Sequence, residues 1–202
     1  MGKESVMPLE SVIENYWEVE IDDGYPIEAT ESWRRSIRQS YKCAECGTVR
    51  LPDSPEQPVQ IEERPSQLMT NISGSLKIWH RTVFNAVKPY LPPLVEWPIE
   101  NAIQMAAVEY VAFHCPMRLR LRDLHPNAAQ YQCPACGTWR SRMFGPYNIL
   151  PDGPLPYSVV FTVLGMMFVN DEVKALPIWG QVKGLKFTRA PRESEERLKG
   201  CV

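Results

Sequence analysis

A ten-residue phrase is written twice in this chain. Residues 41–50 read YKCAECGTVR and residues 131–140 read YQCPACGTWR, so both carry the order Cys-x-x-Cys-Gly-Thr. Two intervening residues let both sulfurs of a unit point at one ion, and the following glycine, Gly47 or Gly137, turns the backbone away. Two such units supply four thiolates, the number that closes a tetrahedral structural zinc site. Cys43, Cys46, Cys133 and Cys136 are therefore the expected ligands of one structural Zn2+. Eighty-six residues separate Cys46 from Cys133, far more than a small zinc ribbon encloses. The ion is expected to tie distant parts of one domain together, and the energy of binding it becomes folding energy.

Two other uses of the thiols compete with this one. A redox dithiol needs its Cys-x-x-Cys to open a helix after a strand, whereas the Gly-Thr that follows each pair here points to a turn. A pair of disulfides would need an oxidising compartment. The N-terminus shows no basic stretch followed by an apolar one, so no secretory signal is read and a cytoplasmic location is expected. The longest apolar run, residues 159–169, is broken by Thr162 and Gly165 and is about half the length that crosses a bilayer. No membrane partner is expected.

A four-cysteine site leaves no coordination position for water, and none of the three histidines (His80, His114, His125) stands beside a nucleophile or a carboxylate pair. An enzyme is not expected. Cys115 follows His114 directly, too close for both to chelate one tetrahedral ion comfortably, and reads as a small buried residue. Cys201 falls in the C-terminal tail.

Net charge is −2, but it is unevenly spread. Residues 1–31 carry nine acids against the single base Lys3, and the rest of the chain is basic. Such asymmetry marks either a solvated face or an interaction surface.

Local pattern predicts mixed secondary structure. Trp17, Val19 and Ile21 alternate with Glu18 and Glu20, the period of a half-buried strand, and Asp22-Asp23-Gly24 then signals a turn. The prolines at 52, 55, 58 and 65 make residues 51–65 a loop. Leu68, Ile72, Leu76, Trp79, Val83 and Val87 recur at helical spacing, which predicts a helix capped by Ser66 and stopped at Pro89. Ser73-Gly74-Ser75 weakens the pattern in its middle. A second helix is predicted over residues 99–110. Residues 117–124 alternate Arg with Leu or Met as a strand does, and residues 159–169 read as one buried strand bulged at Gly165. Asn170 or Asp171 is placed to cap a short helix that Pro177 interrupts, residues 184–188 suggest a last strand, and residues 191–202 read as a charged, frayed tail.

Bases and aromatics surround both units. Arg34, Arg35, Arg38, Lys42 and Arg50 flank the first; Arg140 and Arg142 flank the second; Arg118, Arg120 and Arg122 share one strand face; Tyr41, Tyr131 and Trp139 offer stacking surfaces. This supports nucleic acid as a second-choice partner, which the acidic N-terminal segment opposes. A thiol oxidoreductase is a third reading.

The two widely spaced Cys-x-x-Cys-Gly units, the aromatic-rich segment with Trp33 upstream, and the closing run from Phe168-Val169-Asn170 to Gly184-Leu185-Lys186-Phe187 resemble the double-CxxCG family of bacterial immunity proteins, best known from myxobacteria. The resemblance spans roughly residues 16–190. It implies a non-enzymatic antitoxin that binds and blocks a cognate protein toxin in the cytoplasm. In that setting the acidic segment gains a role, because clustered negative charge steers a basic partner. Glu18, Glu20, Asp22 and Asp23, with Trp17 and Tyr25 as aromatic anchors, form the candidate partner surface. The expectation is thus one α+β domain over residues 1–190, with mixed strands, a helical insert between two zinc knuckles, one zinc site made by four cysteines, and a tail at 191–202.

Overall fold

The computed structural model describes residues 15–21, 29–61, 68–73, 76–101, 109–117, 122–123, 130–141, 148–149, 155–162 and 166–190. Helices and sheets are mixed, as the sequence predicts.

Two four-stranded sheets form the core. Sheet I combines β1 (Tyr16–Ile21), β12 (Val159–Phe161), β13 (Met167–Asn170) and β14 (Leu185–Arg189) in the order β12-β13-β1-β14. Sheet II combines β3 (Met69–Ser73), β4 (Leu76–His80), β5 (Val95–Trp97) and β7 (Tyr110–His114) in the order β3-β4-β7-β5. Their facing sides interdigitate. Trp79, Val111 and Phe113 of sheet II meet Val159, Phe161, Met167 and Val169 of sheet I, with Trp17, Val19 and Ile21 packed against them. Helix α2 (Arg81–Val87) and the 3-10 turn Pro177–Gln181 fill the same layer through Val83, Phe84, Val87, Ile178 and Trp179.

The other face of sheet II is covered as well. Leu76, Ile78, Tyr110 and Ala112 pack beneath Trp33 and Ile37 of helix α1 (Glu31–Tyr41), together with Val59 and Ile61 of β2 (Val59–Ile61). β2 runs parallel to β6 (Ile99–Asn101). The order of layers is therefore α1, sheet II, sheet I. The outer face of sheet I bears a smaller cluster of Tyr16, Val160, Phe168 and Ala190.

Several elements are legible in their local pattern. β1 lies where the Trp17/Val19/Ile21 alternation puts it. Asn170 caps α3 (Asp171–Lys174), its Oδ1 accepting from the Val173 N–H at 3.0 Å. Pro177 opens the 3-10 turn, and β14 closes the fold. Cys115 is buried.

Other expectations are corrected. Met69–Ser73 and Leu76–His80 pair as antiparallel β3 and β4, and among the described residues of the predicted 66–88 helix only residues 81–87 are α-helical. Leu76 to Trp79, Lys77 included, are all buried because β4 is covered on both faces, so its burial does not alternate. The apparent helical spacing is the sum of two strands and one short helix. Among its described residues, the insert between the knuckles thus carries α2, helical Glu109 and more strand than expected. Of its second predicted helix, 99–110, the described ends are β6 at Ile99–Asn101, a helical Glu109 and the first residue of β7, and residues 102–108 lie outside the described residues. The 51–65 loop contains β2. Residues 159–169 hold two antiparallel strands, with Val160 opposite Phe168, rather than one bulged strand. Of residues 117–124, the described Arg122–Asp123 form β8, paired with β11 (Asn148–Ile149). The 191–202 tail lies outside the described residues.

Helix α1 is not among those expectations, although its signal is present. Trp33, Ile37 and Tyr41 recur every four residues, and Thr30 is an N-cap whose Oγ1 accepts from the Trp33 N–H at 3.2 Å. An eleven-residue helix is marginal alone. Burying Trp33 and Ile37 supplies roughly 2 kcal/mol for each side chain, more than propensity gives, so packing is what holds it.

Candidate metal centre

The first knuckle grows directly out of α1. The Lys42 N–H bonds to the Arg38 carbonyl, closing the helix, and the Arg50 N–H returns to the Tyr41 carbonyl. Lys42 and Val49 form a β-bridge, so the knuckle is a tight hairpin end. Tyr41, Val49 and Leu51 pack against the core beneath α1. The second knuckle repeats the hairpin between β9 (Gln130–Gln132) and β10 (Trp139–Ser141), with Gln132 opposite Trp139 where the first has Lys42 opposite Val49.

The turns are equivalent bond for bond. The Cys43 N–H donates to the Thr48 carbonyl at 2.9 Å, and that of Cys133 to the Thr138 carbonyl at 2.9 Å. The Gly47 N–H reaches the Cys43 carbonyl at 2.9 Å, and that of Gly137 reaches Cys133 at 2.8 Å. Gly47 and Gly137 have φ of 72° and 68°, the left-handed region that side chains disfavour. The glycines of the motif are therefore required by backbone geometry.

The two knuckles meet sulfur to sulfur. Cys43 Sγ lies 3.8 Å from Cys133 Sγ, Cys46 Sγ lies 3.6 Å from Cys136 Sγ, and all four sulfurs fall within 4.8 Å of one another. Ligands at the zinc–thiolate distance of about 2.3 Å, arranged tetrahedrally, stand about 3.8 Å apart. The cage thus has the dimensions of a tetrathiolate metal site, and none of the four cysteines is in a disulfide. Arg50 adds a direct tie, its Nη1 donating to the Cys136 carbonyl at 2.6 Å.

The threonine of each motif tunes its neighbouring sulfur. The Thr48 side chain and backbone hold the Cys46 thiol down to about 6, and Thr138 lowers Cys136 in the same way, with its Oγ1 3.2 Å from the sulfur. Cys133 is opposite in sense. Against the pull of the Cys136 and Ala135 backbone, burial and its bonds to Cys136 and Cys46 push it up to about 11. Glu45 Oε2, 3.9 Å away, adds a further acceptor beside it. Sulfurs this close resist simultaneous ionisation, and a cation at their centre removes that resistance.

Of the candidate partner surface, Trp17, Glu18 and Glu20 lie together on β1. Trp17 serves the fold: its Nε1 donates to Asp171 Oδ1 at 2.7 Å, and Lys174 Nζ lies 3.0 Å from its ring centroid. Glu18 is half-buried, and burial, then repulsion from Glu20, raise its carboxyl. Glu20 is exposed, stands opposite Lys186 and accepts from Thr188 Oγ1 at 3.3 Å. Asp22, Asp23 and Tyr25 lie outside the described residues, as do Arg118, Arg120 and Arg142. His114 is internal, its Nδ1 accepting from Trp97 Nε1 at 2.9 Å. No helix among the described residues is long and apolar enough to cross a membrane.

No protein-family model matches this chain, and no curated protein matches it.

Proposed function

We propose that this chain is a zinc-stapled immunity protein, one that acts by binding and neutralising a cognate protein toxin rather than by catalysis. The observation that carries this reading is the convergence of both Cys-x-x-Cys-Gly units on one four-sulfur cage. Those units are the hallmark of the family that the sequence resembles. Zinc suits the cage because four soft thiolates in tetrahedral array favour it over hard cations, and four protein ligands complete its usual coordination. The ion would organise the fold without offering a position to substrate.

The described part of the candidate partner surface is the exposed side of β1, where Glu20 stands beside half-buried Glu18. Trp17 is claimed by the core, so the acidic side chains and not that ring would meet a basic partner. The test is co-expression with the product of the adjacent toxin-like gene. Rescue of growth, co-purification of a complex and one zinc per chain support the proposal, and Cys43→Ser together with Cys133→Ser should abolish rescue. A folded, metal-loaded protein that neither rescues growth nor retains that product would overturn it.

A further inference from the structure

The outer face of α1 carries a feature that toxin neutralisation does not use. Arg35, Arg38 and Lys42 follow one another at helical spacing and, with Gln39 and Glu31, line an open cleft of about 460 Å³. Glu31 is engaged by Arg34 at 3.2 Å, which leaves three cations to set the potential of the cleft. All three are exposed, and none makes an ion pair among the described residues. The segment is locally basic: residues 32–50 hold five bases against one acid, Glu45.

We propose that this cleft binds the phosphodiester backbone of a single-stranded nucleic acid. From Arg35 to Lys42 the three cations span about 10 Å along α1 and its C-cap, a row that can follow successive phosphates of one strand. Guanidinium forks suit phosphate oxygens, and charge complementarity is what recommends this occupant. The cleft ends at Lys42, next to the metal cage, and the cage brings the second knuckle alongside. Tyr131, two residues from Cys133, is 43% exposed and supplies a ring on which a base can stack. Glu18 and Glu20 do not oppose this. They lie on sheet I, two layers away from α1, and packed layers spaced about 10 Å apart put them beyond the Debye length. Part of the basic charge has a structural use as well, since Arg38 complements the helix C-terminus.

The experiment is fluorescence anisotropy of a labelled 15-nucleotide oligothymidylate titrated with the full zinc-loaded chain at several salt concentrations. Binding that weakens as salt rises is expected. The Arg35→Gln, Arg38→Gln, Lys42→Gln variant should bind at least about tenfold more weakly and show a log–log salt slope smaller by about 2, as loss of three phosphate contacts on a single strand requires. Tyr131→Ala should weaken binding at least about fivefold with the slope unchanged. Glu18→Gln with Glu20→Gln should change neither. Zinc content and far-ultraviolet circular dichroism confirm that each variant is folded, and Arg35→Gln alone gives a milder check. Three results would each overturn the proposal: no binding at 50 mM salt, an unaltered triple variant, or displacement by poly-glutamate as effective as by unlabelled strand. The last would mark the cleft as a docking face for an acidic protein. None of these outcomes bears on toxin neutralisation, which is read from growth rescue.

Discussion

The two knuckles share a motif, a turn and a hydrogen-bond pattern, yet the molecule holds them by different means. The first is continuous with α1, and Tyr41, Val49 and Leu51 root it in the core under Trp33. The second sits on a two-stranded ribbon whose described ties to the first include the sulfurs themselves, the Arg50–Cys136 bond and the Glu45–Cys133 contact. Among the described residues, packing roots the first knuckle, and a metal in the cage would join the second to it.

The largest effect should come from removing the ion. Chelation, or Cys133→Ser with Cys136→Ser, takes away much of the roughly 10 kcal/mol that a structural zinc can supply. Hydrogen exchange should then quicken by orders of magnitude across residues 130–141 and change far less across residues 41–50. Equal loosening of both would break the comparison. Acidification should release the metal in the same way, since thiolates and not thiols are the ligands.

Next is Trp33→Ala, which empties the site under the first knuckle. A loss of about 3–5 kcal/mol in denaturant unfolding is expected, with the 41–50 amides now exchanging even when zinc is bound. A metal-loaded variant as stable as the parent would show that the core does not root this knuckle.

A smaller and sharper contrast comes from Gly47→Ala and Gly137→Ala. Each forces an alanine into positive φ at a local cost of about 1–2 kcal/mol. Both should weaken the metal-loaded protein, measured by thermal unfolding. In the stripped protein only Gly47→Ala should still tell, because the second turn is no longer held.

The smallest effect separates the two responses to acid. Glu18 is raised by burial and by Glu20, so the folded state takes up its proton at higher pH than the unfolded chain. Its contribution to stability therefore falls as pH rises through that window, the reverse of the thiolates. Glu18→Gln should stabilise at neutral pH by less than about 1 kcal/mol, given solvent screening of a half-exposed group, and the gain should vanish below the carboxylate range. Melting curves across pH read this directly, and a gain that persists in acid would refute the assignment.

Legibility follows the range of the interaction. The cysteine cage is readable because coordination chemistry fixes residue type and spacing, whatever the fold around it. β1 and the Asn170 cap are readable because alternation and capping act over a few residues. The β3–β4 pairing is not, because β4 lies between α1 on one side and sheet I on the other, and burial on both faces erases the period that marks a strand. Ser73-Gly74-Ser75 carries the turn signal, but the apolar spacing around it mimics a helix. α1 escapes notice for the opposite reason: its exposed arginines and serines hide a clear Trp33/Ile37/Tyr41 stripe. Nothing local in Trp17 says that Asp171 and Lys174, more than 150 residues later, would claim it.

The place of β1 has a consequence for biosynthesis. Residues 16–21 are hydrogen-bonded on one side to residues 168–170 and on the other to residues 185–189. A strand made early must stay unpaired while some 150 further residues are added, roughly ten to thirty seconds at ordinary translation speeds. Its Trp17, Val19 and Ile21 are naked to water for that interval, so the nascent polypeptide presents a chaperone-accessible segment that vanishes when the last strand leaves the ribosome.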